Sequence, residues 1–217
     1  MDRWATFDCY GTLIDWNGGI RSVLADVFGD DQADRLLRRY HELEPELERD
    51  GTLTYRAVLT RALRQLADEE GRELSDGEAL AQSLPSWQPF PEVRGALEEA
   101  RGRGWRLAIL SNTDPDYIAA SKERIGVPFD ETVVASEIGS YKPGHVHWEE
   151  FFRRTGANRG SHVHVAASLF HDIAPAKELG LPSIWINRLD ERPGPQPDRE
   201  LRDLNGLAGA LDDLVAP

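Results

Sequence analysis

Near the N-terminus, the apolar run Trp4-Ala5-Thr6-Phe7 ends on Asp8, and Cys9-Tyr10-Gly11-Thr12 turns the chain just beyond it. A strand that stops on a carboxylate and then turns sharply through glycine holds that carboxylate at a sheet edge, where it can act as a nucleophile. Asp8 is therefore the candidate nucleophile, and Thr12 is placed to hydrogen-bond its carboxylate. Further polar groups follow later apolar runs. Leu107-Ala108-Ile109-Leu110 leads into Ser111-Asn112, Tyr141-Lys142-Pro143 opens a helical stretch, and Val165-Ala166-Ala167-Ser168 leads to His171-Asp172. Lysine occurs only at 122, 142 and 177, so Lys142 stands out as a cation.

In order and coverage these four pieces closely resemble the motifs of the haloacid dehalogenase superfamily. The resemblance implies that Asp8 forms a covalent aspartyl intermediate, that Lys142 neutralises charge around it, and that Asp172 activates the water that opens the ester. The superfamily's phosphatases read Asp-x-Asp in the first motif and Gly-Asp-Ser in the fourth. Tyr10 and Ala167 stand at the corresponding positions here, which reduces the acidic cluster to Asp8 and Asp172. Magnesium wants near-octahedral oxygen ligands and releases water reluctantly, so no metal and no cofactor is expected.

The L-2-haloacid dehalogenases also carry tyrosine in the second place. Likeness to them implies a metal-independent hydrolase that displaces a leaving group at carbon two of a small carboxylate. By the same resemblance, the substrate carboxylate lies on the backbone amides of Cys9 and Tyr10 together with Ser111, while Arg39 and Asn112 receive the departing halide. Arg39 follows from its register with Leu43-Glu44; Arg38 is the neighbouring alternative. Trp148 replaces a pocket tyrosine of that branch, Ala167 and Leu169 replace its water-positioning Ser and Asn, and Ser168 or His171 would compensate. Three rival readings remain: a hydrolase that opens the ring of azetidine-2-carboxylate, a magnesium-dependent phosphatase, and a silent relative that only binds a metabolite.

Plainer readings compete at single positions. Asp172 before Ile173-Ala174-Pro175 suits a helix N-cap. His162 with His164, and His145 with His147, tempt a metal reading that lacks a third ligand. Trp16, Trp87 and Trp148 are more often core or cap filling than substrate contacts.

The elements that must position these residues fall into two groups. Between Trp16 and about Leu84 the apolar spacing is helical, over 20–28, 33–47, 55–66 and 78–84, with Pro45 expected to break or kink the second stretch. From Val93 helices alternate with short apolar strands, at 106–110, 132–135, 162–166 and 183–186. That alternation predicts an α/β fold, a doubly wound parallel sheet of Rossmann-like form covered on both faces. A helical cap, 16–87, is inserted after the first strand of a core made of 1–15 and 88–217. The segment 192–198 reads as a loop before a terminal helix over 201–215.

At 217 residues the chain can bury roughly 70% of its unfolded surface. Its formal net charge of -13 argues against nucleic acid. No window approaches the roughly 20 apolar residues of a membrane span. A lone Cys9 and an N-terminus without a signal-like stretch lead to an expected reducing, cytoplasmic location. The expected partner is a small carboxylate substrate, and a homodimer is compatible with the resemblance.

Overall fold

The structure is a computed structural model that describes residues 2–49, 51–192 and 194–216. In chain order it runs β1 (Arg3–Phe7), α1 (Trp16–Phe28), α2 (Asp30–Glu48), α3 (Tyr55–Glu69), α4 (Ala79–Ser83), α5 (Val93–Gly102), β2 (Trp105–Ser111) and α6 (Pro115–Ile125). It continues through β3 (Glu131–Val134), α7 (Ala135–Ile138), α8 (Val146–Thr155), β4 (His162–Ala166), α9 (Ala174–Glu178), β5 (Ser183–Ile186), β6 (Arg199–Leu201) and α10 (Leu207–Leu214). The strands form one sheet in the order β3-β2-β1-β4-β5-β6, and every pairing is parallel.

This order explains where Asp8 goes. The chain winds outward from β1 through β2 to β3, then returns to lay β4 on the other side of β1, so the winding reverses between β1 and β4. Ligands in such sheets sit outside the carboxyl ends of the strands at that reversal. Asp8 lies there, its amide donating to the Val165 carbonyl at 3.1 Å. Residues of β1 and β4 are buried throughout, as expected for strands covered by helices on both faces.

Helices α1 to α3 pack on one another and contribute residues to a cavity over these strand ends. The core aims α3 directly: the Asp114 carboxylate, just after β2, accepts from the Tyr55 and Arg56 amides at 3.0 and 2.9 Å. Those amides are orphan donors of a helix N-terminus, and an anion there also suits the helix dipole. The hydroxyl of Thr54 caps the same end by accepting from the Ala57 amide at 3.2 Å.

Three expectations are corrected. Pro45 does not end α2, which runs on to Glu48. One missing amide is tolerated because the turns on both sides are anchored by buried Tyr40, Leu43, Glu44 and Glu48. The stretch after the proline-rich loop begins with the edge strand β6, so the terminal helix starts at Leu207 rather than Leu201. Asp172 caps no helix with its side chain; it lies in a π-helical turn, Leu169–Ile173, that leads into α9. Of the loop expected over 192–198, Pro193 lies outside the described residues. Among the described residues, no helix is long and apolar enough to cross a membrane.

Candidate active site

Gly11 has a φ of +86°, a conformation that disfavours any side chain, and it lets the chain reverse within three residues of Asp8. The Leu13 and Ile14 amides both close back on the Cys9 carbonyl, at 2.7 and 2.9 Å. This tight loop brings Thr12 over the nucleophile: its hydroxyl donates to Asp8 Oδ2 at 2.7 Å and accepts from the Ala167 amide at 2.9 Å. Thr12 thus fixes the Asp8 rotamer and ties the loop after β1 to the loop after β4.

Lys142 completes the centre. Its ammonium donates to Asp8 Oδ1 at 2.9 Å, to Asp172 Oδ1 at 2.7 Å and to the Leu110 carbonyl at 2.9 Å, and the residue is 2% exposed. Its backbone is held by Asn112, whose Oδ1 accepts from the Lys142 amide at 2.7 Å while Nδ2 donates to the Lys142 carbonyl at 3.1 Å. Burial alone would lower the lysine pKa, yet Asp172 and Asp8 together raise it above the ordinary range. Burial likewise works to raise Asp172, but Lys142 and His164 outweigh it and hold this carboxyl well below the usual range. For Asp8, burial wins over Lys142 and raises the pKa, with the charge of Asp172 adding to the rise.

Behind Asp172 stands a buried polar chain. His164 Nε2 lies 2.9 Å from Asp172 Oδ1, and Thr6 Oγ1 is 2.8 Å from both His164 Nδ1 and His162 Nε2. These two histidines therefore serve a hydrogen-bonded network. His145 instead meets Glu178 and His147 meets the Ser111 carbonyl, so the four histidines do not converge. Among the described residues, no cluster of three acids, histidines or cysteines could hold a metal ion. A magnesium ion does not fit here, because Tyr10 and Ala167 supply no carboxylate beside Asp8 and Asp172 to complete a set of hard oxygen ligands.

A cavity of about 240 Å³ opens onto this centre. The core lines it with Asp8, Tyr10, Ser111, Asn112, Lys142, Ser168, His171 and Asp172, and the helices above with Trp16, His41, Glu44, Pro45, Glu48 and Tyr55. Two buried polar atoms at the centre have no partner among the described residues, Ser111 Oγ and Asp172 Oδ2. Buried polar atoms are normally satisfied, so these two are the groups most available to a substrate and a water. Ser168 and His171 pair locally, the serine Oγ accepting from the His171 amide at 3.0 Å and lying 3.2 Å from its Nδ1.

Two expected site residues are elsewhere. Arg39 lies on the outer side of α2, where its guanidinium bonds Glu42 and Glu69 at 2.8 to 2.9 Å. Arg38 is exposed as well, so neither arginine enters the cavity. The helix turns His41, Glu44 and Glu48 inward instead. Trp148 is fully buried, edge-on to His164, because α8 directs its apolar face into the core beneath the sheet. The Cys9 side chain is fully buried, and the role expected of this residue belongs to its backbone amide.

Sequence reasoning missed Glu44, Glu48, His41 and Tyr55. The spacing of 41, 44 and 48 on one helical face held the signal. Glu44 Oε1 accepts from the Tyr40 and Tyr55 hydroxyls at 2.9 and 2.8 Å, and burial raises its pKa to about 7. Glu48 Oε2 takes the Asn112 amide at 3.3 Å, and burial followed by the charge of Glu44 raises its pKa well above the ordinary value.

The same fold recurs in known proteins. The L-2-haloacid dehalogenase of Xanthobacter autotrophicus, solved with chloropropionic acid covalently bound, superposes with a TM-score of 0.85 over 97% of this chain and 98% of that one, at 19% identity. Haloacetate dehalogenase H-2 of Moraxella sp. (strain B) is 30% identical across 84% of each chain. The (S)-2-haloacid dehalogenase of Pseudomonas sp. (strain YL) is 28% identical over 93% of this chain and 90% of its own. The family model for haloacid dehalogenase-like hydrolases matches residues 3–180, a span that takes in Asp8, Thr12, Lys142 and Asp172. The chain belongs to the haloacid dehalogenase-like hydrolases.

Proposed function

We propose that this chain is a metal-independent hydrolase that displaces a leaving group at carbon two of a small carboxylate, as (S)-2-haloacid dehalogenases act on carbon–halide bonds. The observation that carries the reading is the Asp8–Lys142–Asp172 arrangement, in which one lysine bonds two carboxylates and Thr12 locks the first. An oxygen of Asp8 attacks carbon two, the carbon–halogen bond breaks, and halide leaves with the electron pair. The fixed line of attack is the main catalytic contribution of Thr12 and Lys142. Water then adds to the carbonyl carbon of the Asp8 ester and gives its proton to Asp172. Collapse of that adduct restores Asp8 and frees a 2-hydroxy acid.

The free Oδ2 of Asp172 suits the second step. His164 and Lys142 hold the other oxygen, so Asp172 stays ionised and oriented at neutral pH. Ser111, with its unpartnered hydroxyl, is the natural donor to the substrate carboxylate. Phosphoryl transfer fits the site less well, since it calls for more cationic stabilisation than a lysine already bonded to two carboxylates supplies.

The test is a halide-release screen over short 2-halocarboxylates, with a generic phosphate ester alongside. The Asp172→Asn variant is then given any active substrate and examined by mass spectrometry for a covalent adduct on Asp8. Halide release with adduct accumulation is expected. Phosphate release without halide release would overturn the reading.

A further inference from the structure

Glu44 and Glu48 lie one helical turn apart on α2, are 7% and 6% exposed, and both line the cavity that holds Asp8. The groups that bond them are donors. The Tyr40 and Tyr55 hydroxyls give their protons to Glu44, and the Asn112 amide gives one to Glu48. The Trp16 indole N–H, 3.0 Å from the Tyr55 oxygen, leaves that hydroxyl's proton free for Glu44. These donors support the carboxylate form, but burial outweighs them and raises both pKa values, so a cation entering the cavity is what would draw both acids to the carboxylate form.

These carboxylates have no strong cation beside them. Among the described residues, no lysine or arginine lies within ion-pair distance of either one; the nearest basic group is the His171 ring, whose Nε2 is 3.9 Å from Glu48. Burial lowers the pKa of both His41 and His171, so the two cavity imidazoles favour the neutral form. Lys142 is already bonded to Asp8 and Asp172. Glu44 Oε2 accepts from no described residue. A buried carboxylate needs a charged or donating partner, and the cavity is where one would come from.

Aromatic rings close around the same space. Tyr10 and Tyr55 stack with centroids 6.0 Å apart, Trp16 is bonded to the Tyr55 hydroxyl, and all three line the cavity. Aromatic faces together with carboxylates are the surroundings that hold an ammonium ion.

We propose that the substrate carries a protonated amine, held by Glu44 and Glu48 among the rings of Tyr10, Trp16 and Tyr55, and is thus a small amino acid rather than a plain carboxylic acid. The proposal rests on the reading of this cavity as the substrate site. A plain carboxylate would bring another anion against two buried acids. A zwitterion brings a charge suited to each wall, its carboxylate toward Ser111 and its ammonium toward α2.

Binding measured without turnover tests this. In an Asp8→Asn background, calorimetry compares near-isosteric pairs: 4-aminobutanoate against pentanoate, and 3-aminopropanoate against butanoate. The amine of each pair should bind at least tenfold more tightly. The preference should vanish when Glu44→Gln and Glu48→Gln are added together, and survive in part in each single variant. Circular dichroism confirms that each variant is folded. Equal or tighter binding of the acids that lack the amine, persistence of the preference in the double variant, or failure of the amines to bind at millimolar concentration would each overturn the proposal. Amine preference in a protein that never forms an Asp8 ester would leave this proposal standing and remove the hydrolytic one; ester formation without amine preference would do the reverse.

Discussion

Replacing Glu44 with glutamine should stabilise the protein, and increasingly so as pH rises. The glutamine carbonyl can still accept from the Tyr40 and Tyr55 hydroxyls, so the substitution removes mainly the charge. In the folded protein Glu44 keeps its proton up to about 7, against an ordinary value of 4.5. Below pH 4.5 both states hold the proton and the group contributes no pH dependence. Between 4.5 and about 7 the unfolded chain releases its proton while the folded chain retains it, so the native protein loses ~1.4 kcal/mol of stability per pH unit from this group. The total is ~3 kcal/mol above pH 7. Removing the charge on Glu44 also relieves Glu48, which acts in the same direction. Urea unfolding of both proteins from pH 4.5 to 8.5 reads the difference directly. Glu44→Gln should match the native protein near pH 4.5 and exceed it by about 3 kcal/mol above pH 7. A difference that stays flat across that range would mean that the buried charge is compensated in the fold, and the reasoning about Glu44 would fail.

Other variants separate the outer face of α2 from the catalytic centre. Arg39→Ala should leave kcat/KM within about twofold, because its exposed ion pairs with Glu42 and Glu69 lie outside the cavity and such pairs contribute little; steady-state halide release checks this. His164→Gln should leave ester formation intact but slow its hydrolysis by roughly tenfold, since His164 positions Asp172 without touching substrate; rapid-quench mass spectrometry of the adduct distinguishes the two steps. Dialysis against a chelator should leave turnover unchanged, and recovery of lost activity on adding magnesium would count against the lysine-bridged site.

The centre was readable because each part is local. Asp8 with Thr12 follows β1, Asp172 follows β4, Lys142 stands just before α8, and the parallel sheet aligns the strand ends at one edge. The α2 wall of the cavity requires a different kind of reading. Register with Leu43-Glu44 points to Arg39, yet Leu36, Tyr40 and Leu43 already mark the buried side of α2, and Arg35, Arg39, Glu42 and Glu46 form the stripe turned away from it. Glu44 and Glu48 do not stand out in the sequence, because acids on a helix usually face water. Strand β6 was unreadable for another reason: Arg199-Glu200-Leu201 has no apolar run and gains its strand geometry only by pairing with β5. Pro45 shows tertiary anchoring overriding a local rule.

Nucleophilic attack by Asp8 is the central claim, and a single turnover in heavy-oxygen water tests it most directly. Enzyme in excess over substrate is allowed one turnover, digested, and the peptide carrying Asp8 is weighed. Hydrolysis of the ester at its carbonyl carbon puts the new oxygen into the Asp8 carboxylate, so that peptide should gain the heavy isotope while the first product remains unlabelled. Heavy oxygen in the product with an unlabelled Asp8 would mean that water attacks the substrate itself, and Asp8 would not be the nucleophile.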